Sequence, residues 1–194
     1  GNARRLIGSH RRDLLPCEER GWLVYHGKRF LEAAGNAQPN LRAQEVSSFI
    51  ADEAEACGDP GRRKSLNSWS RKTGDSARIS AMLRTAGPHL WVRNEALDAD
   101  PWLLNTGNGA LRLSRDGIHH YMHNRRHRCT RISAAPFDPD APAARFQRFM
   151  REVLPDDETC RWVQKWLGYS LCGDIGEQRI AFFEGGGVNG KSTL

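Results

Sequence analysis

The stretch "FFEGGGVNGKSTL", residues 182–194, fits the pattern G-x-x-x-x-G-K-[ST], with Gly185, Gly190, Lys191 and Ser192 in the fixed positions. These residue types at this spacing do one kind of chemistry. Consecutive backbone N–H groups converge on phosphate oxygens. Gly185 permits a sharp exit from a strand, and Gly190 lets the backbone approach phosphate without a Cβ. A helix starting at Lys191 would add its positive dipole end. Lys191 would then bridge the β- and γ-phosphates, and Ser192 would ligate Mg²⁺. The preceding apolar run "QRIAFFEG" reads as the buried parallel strand that this motif requires. The competing reading is a glycine-rich surface turn beside a lysine.

A second set of residues points to nucleic acid. The chain carries a net charge of +6, and all but five of its 29 basic residues are arginine. Arginine presents a planar fork that matches phosphate. Trp69 stands among Arg62, Arg63, Lys64, Arg71 and Lys72, an aromatic ring within a basic run. That is the composition of a surface on which bases stack while cations hold the backbone. Arg125, Arg126 and Arg128 form a second basic cluster. It lies in "GIHHYMHNRRHRC", where His119, His123 and His127 recur every four residues. On a helix that spacing would face a metal. The segment follows glycine turns, however, and reads as a strand with His119, Tyr121 and His123 on one face and His120 on the other. Its arginines would also repel a divalent cation, so an exposed hairpin or a phosphate-touching surface fits better. Asp98, Asp100, Asp138, Asp140, Asp156 and Asp157 sit beside prolines in turns or at helix starts, where aspartate accepts backbone N–H bonds.

Around these residues the chain is 194 residues long and 39% hydrophobic, without an apolar run near the ~18 residues that span a bilayer. Five cysteines without C-x-x-C spacing suggest reduced thiols in a cytoplasmic protein. The chain starts on Gly and has no signal segment, so both ends look trimmed and an excerpt is expected. "NARRLIGSHRRDLL" places Leu6, Ile7, His10 and Leu14 on one helical face, limited by Pro16. "GWLVYHGKRFLEA" reads as a hairpin, and three helices follow, one with Val46, Phe49 and Ile50 inward and another with Ile79, Met82, Leu83 and Ala86 inward. Next come a strand, a turn at Asn108-Gly109, a second strand, a turn at Asp116-Gly117, and a strand in "HRCTRIS" leading into proline-rich extended chain. Two helices close this section, the second with Trp162, Val163, Trp166, Leu167 and Leu171 on a core-facing side. The expected fold is α+β. Residues 1–93 form a helical domain with one hairpin, residues 94–175 a hairpin section plus two helices, and residues 176–194 the first strand, P-loop and helix start of an α/β ATPase core.

The stretches "LDADPWLLNTGNGALRL", "FDPDAPAARFQRFM" and "WLGYSLCGDIGEQRIAFFEGGGVNGKSTL" resemble the phage and plasmid primase–helicases, which carry a poxvirus-type nucleoside-triphosphatase N-terminal domain before a superfamily III helicase core. "NARRLI" and "GWLVYHGKRF" resemble the start of that domain. The resemblance implies an ATP-dependent DNA helicase or primase–helicase of phage or plasmid replication, with single-stranded DNA as partner, a homo-oligomeric ring, and in many members a primase domain upstream. It implies a nucleotide site of Gly185, Gly186, Gly187, Val188, Asn189, Gly190, Lys191, Ser192 and Thr193, with Lys191 catalytic, Ser192 on Mg²⁺, and ATP and Mg²⁺ as cofactors. The acidic strand, polar sensor and arginine finger that the family places after the loop do not follow Leu194, so residues 1–194 alone are expected not to hydrolyse ATP. Two alternatives stand beside this reading: a non-catalytic DNA-binding or oligomerisation module from a decayed prophage gene, and an unrelated P-loop kinase.

Overall fold

The computed structural model describes residues 1–154, 156–187, 190 and 193. The fold is α+β, with six α-helices and two three-stranded antiparallel sheets among the described residues. The chain divides into two compact units: residues 1–99 with 123–132, and residues 100–122 with 133–194.

In the first unit, helix α1 (Asn2–His10) leads into strands β1 (Leu14–Cys17), β2 (Gly21–Tyr25) and β3 (Phe30–Glu32), ordered β1-β2-β3. Leu14 was expected to extend the helix. It opens a strand instead, because Leu14 to Cys17 can pair with Val24 to Gly21. Pro16 is tolerated there because β1 is an edge strand, where a missing N–H costs no ladder bond. The sheet is covered on both faces, which is why its strands read as continuous apolar runs. Leu14 and Val24 join a cluster with Leu6, Val46, Ile50, Ile79, Met82, Leu83 and Ala86. Leu15, Leu23 and Phe30 face the other way, onto Val92 and Leu97.

Helices α2 (Ala37–Glu55), α3 (Pro60–Thr73) and α4 (Ser76–Leu90) supply the first of those layers. The inward residues expected of α2 and α4 are buried, apart from Phe49, which is half-buried. The excursion 123–132 returns to this unit along β3, where Phe30 N donates to Cys129 O at 2.8 Å. Asp98 pins it there. In the left-handed region (φ +49°), its carboxylate accepts Thr130 N at 2.7 Å and Thr130 Oγ1 at 2.5 Å. No strand forms in 128–137, contrary to expectation. The backbone there is held by single bonds to neighbours rather than by a ladder.

The second unit holds β4 (Leu103–Thr106), β5 (Gly109–Ser114) and β6 (Gly117–Tyr121). Thr106 pairs with Gly109 and Ser114 with Gly117, so the turn residues are Gly107-Asn108 and Arg115-Asp116, one position earlier than expected. Gly109 is needed for a different reason. A Cβ there would lie 2.2 Å from His120 Nε2 and 2.5 Å from Tyr121 O. The His120 ring leans over this glycine and packs edge-on against Phe137, with centroids 5.5 Å apart.

Helices α5 (Ala144–Val153) and α6 (Asp157–Ser170) follow. Asp156 caps α6 by accepting Thr159 N at 2.8 Å and Thr159 Oγ1 at 3.0 Å, which holds its carboxyl below the usual range. Two expectations fail in this unit. The α6 face buries only Val163; Trp162, which stacks on Trp166, is half exposed and Leu171 is exposed. Trp166 and Leu167 are half-buried, and α5 lies beside α6, where Cys160 Sγ donates to Met150 O at 3.6 Å, so the face is covered only in part. Residues 178–185 form no strand, and Ile180 and Phe182 are exposed. A buried parallel strand needs ladder partners beside it, and none of the described strands pairs with this segment.

Candidate nucleic-acid interface

Helix α3 begins at a well-made boundary. Asp59 caps it, accepting Arg62 N at 2.5 Å, and Pro60 occupies the first helical position. Its inner side is nearly featureless: Leu66 is half-buried, Thr73 is buried, and Ser70 Oγ donates to Ser47 O of α2 at 2.7 Å. Apart from Pro60, Gly61 and Trp69, everything else is cationic or small and polar. Arg62, Arg63 and Lys64 crowd the first turn, where positive charge opposes the helix dipole, and no acidic residue offsets them within the helix. Arg71 and Lys72 sit in the last turn, where the dipole favours them.

At 3.6 residues per turn, Lys64, Ser65, Ser68, Trp69 and Lys72 form one stripe. They line a shallow groove of about 380 Å³. Arg62, Lys64, Arg71 and Lys72 make no side-chain hydrogen bond or ion pair among the described residues. Arg63 differs, since its Nε and Nη2 both donate to Cys57 O, at 3.0 and 2.7 Å, tying it to the loop before the helix.

Trp69 is held in place from two sides. Its Nε1 donates to Asn2 Oδ1 at 2.9 Å, while Asn2 Nδ2 donates to Thr73 Oγ1 at 3.0 Å. The Arg78 guanidinium from α4 lies 4.8 Å from the ring centroid, a cation–π contact. The indole remains 40% exposed, so a fixed aromatic surface stands beside unpaired cations. Neither Asn2 nor Arg78 was legible as its partner, because Asn2 lies 67 positions away and both arrive through helix packing.

The second basic cluster forms a 3-10 turn, Arg125–His127. Arg125 donates to Asp13 Oδ1 at 2.5 Å and lies 5.3 Å from the Tyr25 ring centroid, so it fastens this turn to the first unit. Arg126 and Arg128 are exposed. Of the two clusters, only α3 presents several unpaired cations beside an open ring. Among the described residues no group of three His, Cys, Asp or Glu side chains is placed to hold a metal. His119 and Tyr121 lie on one sheet face and His120 on the other.

The nucleotide loop is described only in part. Val188, Asn189, Lys191 and Ser192 lie outside the described residues. Gly187 (φ +95°) and Gly190 (φ +76°) adopt the left-handed region that favours glycine. Thr193 N donates to Gly190 O at 2.9 Å. Gly185 precedes them without regular structure, and Gly186 lies at a bend. Gly190 also stands where a Cβ would lie 2.7 Å from Val153 Cγ1 of α5.

Two thiol and imidazole groups are chemically quiet. Burial, and after it the Asp98 charge, pushes the Cys129 thiol up to about 11, so it stays protonated at neutral pH. Burial lowers the His10 pKa against the opposing charge of Glu45, favouring the neutral ring. All five cysteines are free.

Fold and site together define a basic α+β module with an aromatic-centred cationic helix. The chain belongs to the "D5 N terminal like" family, whose model matches residues 3–155. It is similar to proteins named "Putative primase C962R" from African swine fever virus, including Namibian warthog and Kenyan pig isolates and the Badajoz strain. Each is 28% identical over 104 residues, which is 52% of this chain and 11% of the viral protein. The chain thus spans a small part of the curated relatives it matches. Among the described residues no helix is long and apolar enough to cross a membrane.

Proposed function

We propose that this chain is the region of a DNA-replication primase–helicase that engages single-stranded DNA next to an ATP-dependent core, with Gly185–Thr193 opening that core. The observation that carries the reading is the family match across residues 3–155, together with viral relatives bearing a primase name. The cationic stripe of α3 supports the choice of partner. Four unpaired cations hold the phosphate backbone and Trp69 stacks on a base, a combination that tolerates any sequence and favours single strands. In the whole protein, Lys191 and Ser192 hold the triphosphate and Mg²⁺ of ATP, hydrolysis drives movement along the strand, and a homo-oligomeric ring encloses it.

The test uses the protein carrying the ATPase core. Single-stranded DNA stimulates its ATP hydrolysis, and Lys191→Ala abolishes hydrolysis while leaving DNA binding by α3 intact. Residues 1–194 alone hydrolyse no ATP but bind single-stranded DNA. A whole protein whose hydrolysis ignores DNA, or whose Lys191→Ala variant retains turnover, would refute the reading.

A further inference from the structure

A second cleft lies in the first unit and shares no lining residue with the stripe of α3. It measures about 370 Å³, within the ~300–1,000 Å³ range of small-molecule sites. One wall is the half-buried Trp22 of β2, and the floor is Leu83 of the core. Two helices contribute polar groups at helical spacing. Asn36 and Asn40 are one turn apart at the start of α2; Ser80 and Arg84 are one turn apart on α4.

None of these four polar side chains has a hydrogen-bond or ion-pair partner among the described residues. Asn36 is the most telling. It occupies the N-cap position of α2, where asparagine ordinarily accepts a backbone N–H, yet its side chain makes no capping bond. Its carboxamide is exposed at the cleft. No carboxylate lines the cleft, so Arg84 stands there as an uncompensated cation.

We infer that this cleft binds a nucleotide unit. An indole wall suits a planar ring, and a carboxamide, with both donors and an acceptor, suits the edge of a nucleobase. An unpaired guanidinium suits the phosphate. This site shares no lining residue with α3, and it does not rest on the DNA-binding role proposed there. The occupant is either a free nucleotide or one nucleotide of a bound strand.

The test titrates the chain with deoxynucleoside monophosphates, the matching nucleosides and inorganic phosphate, following backbone and indole N–H resonances. Monophosphates shift the signals of Trp22, Asn36 and Asn40 and bind on the order of tenfold tighter than nucleosides. Arg84→Ala, an exposed substitution, erases that preference and leaves nucleoside binding unchanged. Gly87→Ala supplies an independent arm. A Cβ there would reach 3.9 Å from the Trp22 ring, so it narrows the cleft without a clash. It also replaces glycine in a helix, raising Tm by a few degrees. Weaker nucleotide binding in a more stable protein cannot be ascribed to misfolding. A short single strand that displaces the monophosphate assigns the site to bound DNA, and one that leaves it in place assigns it to free nucleotide. The inference is overturned if nucleotides leave these resonances unmoved, if phosphate alone binds as well as the monophosphate, or if Arg84→Ala keeps the preference.

Discussion

Replacing Arg62, Lys64, Arg71 and Lys72 by alanine removes the four α3 cations that have no side-chain partner among the described residues, and leaves Arg63 in its contact with Cys57 O. Alanine is the best helix former, and losing Arg62 and Lys64 relieves the dipole at the first turn, which offsets the loss of Arg71 and Lys72 from the last, so the variant folds about as well as the parent. Binding to single strands releases counterions with a slope of about −0.7 per phosphate contact. Four contacts therefore contribute about −2.8 to the slope of log K against log salt. Between 50 and 200 mM salt those contacts alone weaken binding about 50-fold. Fluorescence anisotropy with a labelled oligo-dT, across that salt range, measures the slope. The quadruple variant loses most of it, and Lys64→Ala with Lys72→Ala loses about 1.4. Trp69→Ala instead weakens binding by ~1–3 kcal/mol at every salt concentration, leaving the slope in place, and Trp69→Phe restores part of the loss. A quadruple variant with the parent's slope would show that α3 is not the interface.

Gly109→Ala drives a methyl group into the His120 ring and the Tyr121 carbonyl, costing about 2–3 kcal/mol in urea unfolding, with an unchanged outcome refuting the close packing. Asp98→Ala removes the acceptor of Thr130 N and Oγ1 and destabilises the first unit by about 2–3 kcal/mol. Asp98→Asn, which also tolerates φ +49°, loses less. His10 faces Phe49, Glu45, Arg42 and Asp13, and its folded pKa lies below the ordinary 6.5. The unfolded chain therefore binds the proton more readily, so His10 contributes stability above pH 6.5 that is lost as pH falls through its folded value. Thermal melts of His10→Gln should show a flatter profile than the parent from pH 6.5 to 5.

Periodicity was a good guide wherever one neighbour decided burial. The inward residues of α2 and α4 could be read from spacing because one layer of helices on one sheet face requires them. The basic content of α3 was equally plain. Spacing failed where two partners competed or where only part of an apolar face is covered. Leu14 fits a helical face, but Val24 offers it a strand ladder, and the ladder prevails. Trp162 and Leu171 look like core residues, but amphipathicity names only the side that prefers burial, not the surface that will cover it. Gly109 looked like a turn residue because Asn-Gly favours turns, whereas its place is set by a ring from the adjacent strand.

By itself the amino-acid sequence determined the helical segments, the α+β class, the cationic run around Trp69 and the glycine pattern at 185–190, since each depends on residue types a few positions apart. Only the tertiary structure decided which cations are spent on the fold. Arg125 is bound to Asp13 across 112 positions, Arg63 is folded onto Cys57, and Arg62, Lys64, Arg71 and Lys72 make no side-chain hydrogen bond or ion pair among the described residues. It likewise gathered Trp22, Asn36, Asn40 and Arg84 from three elements into one cleft. Charge is written residue by residue, but whether a charge has a partner depends on which distant segments pack beside it.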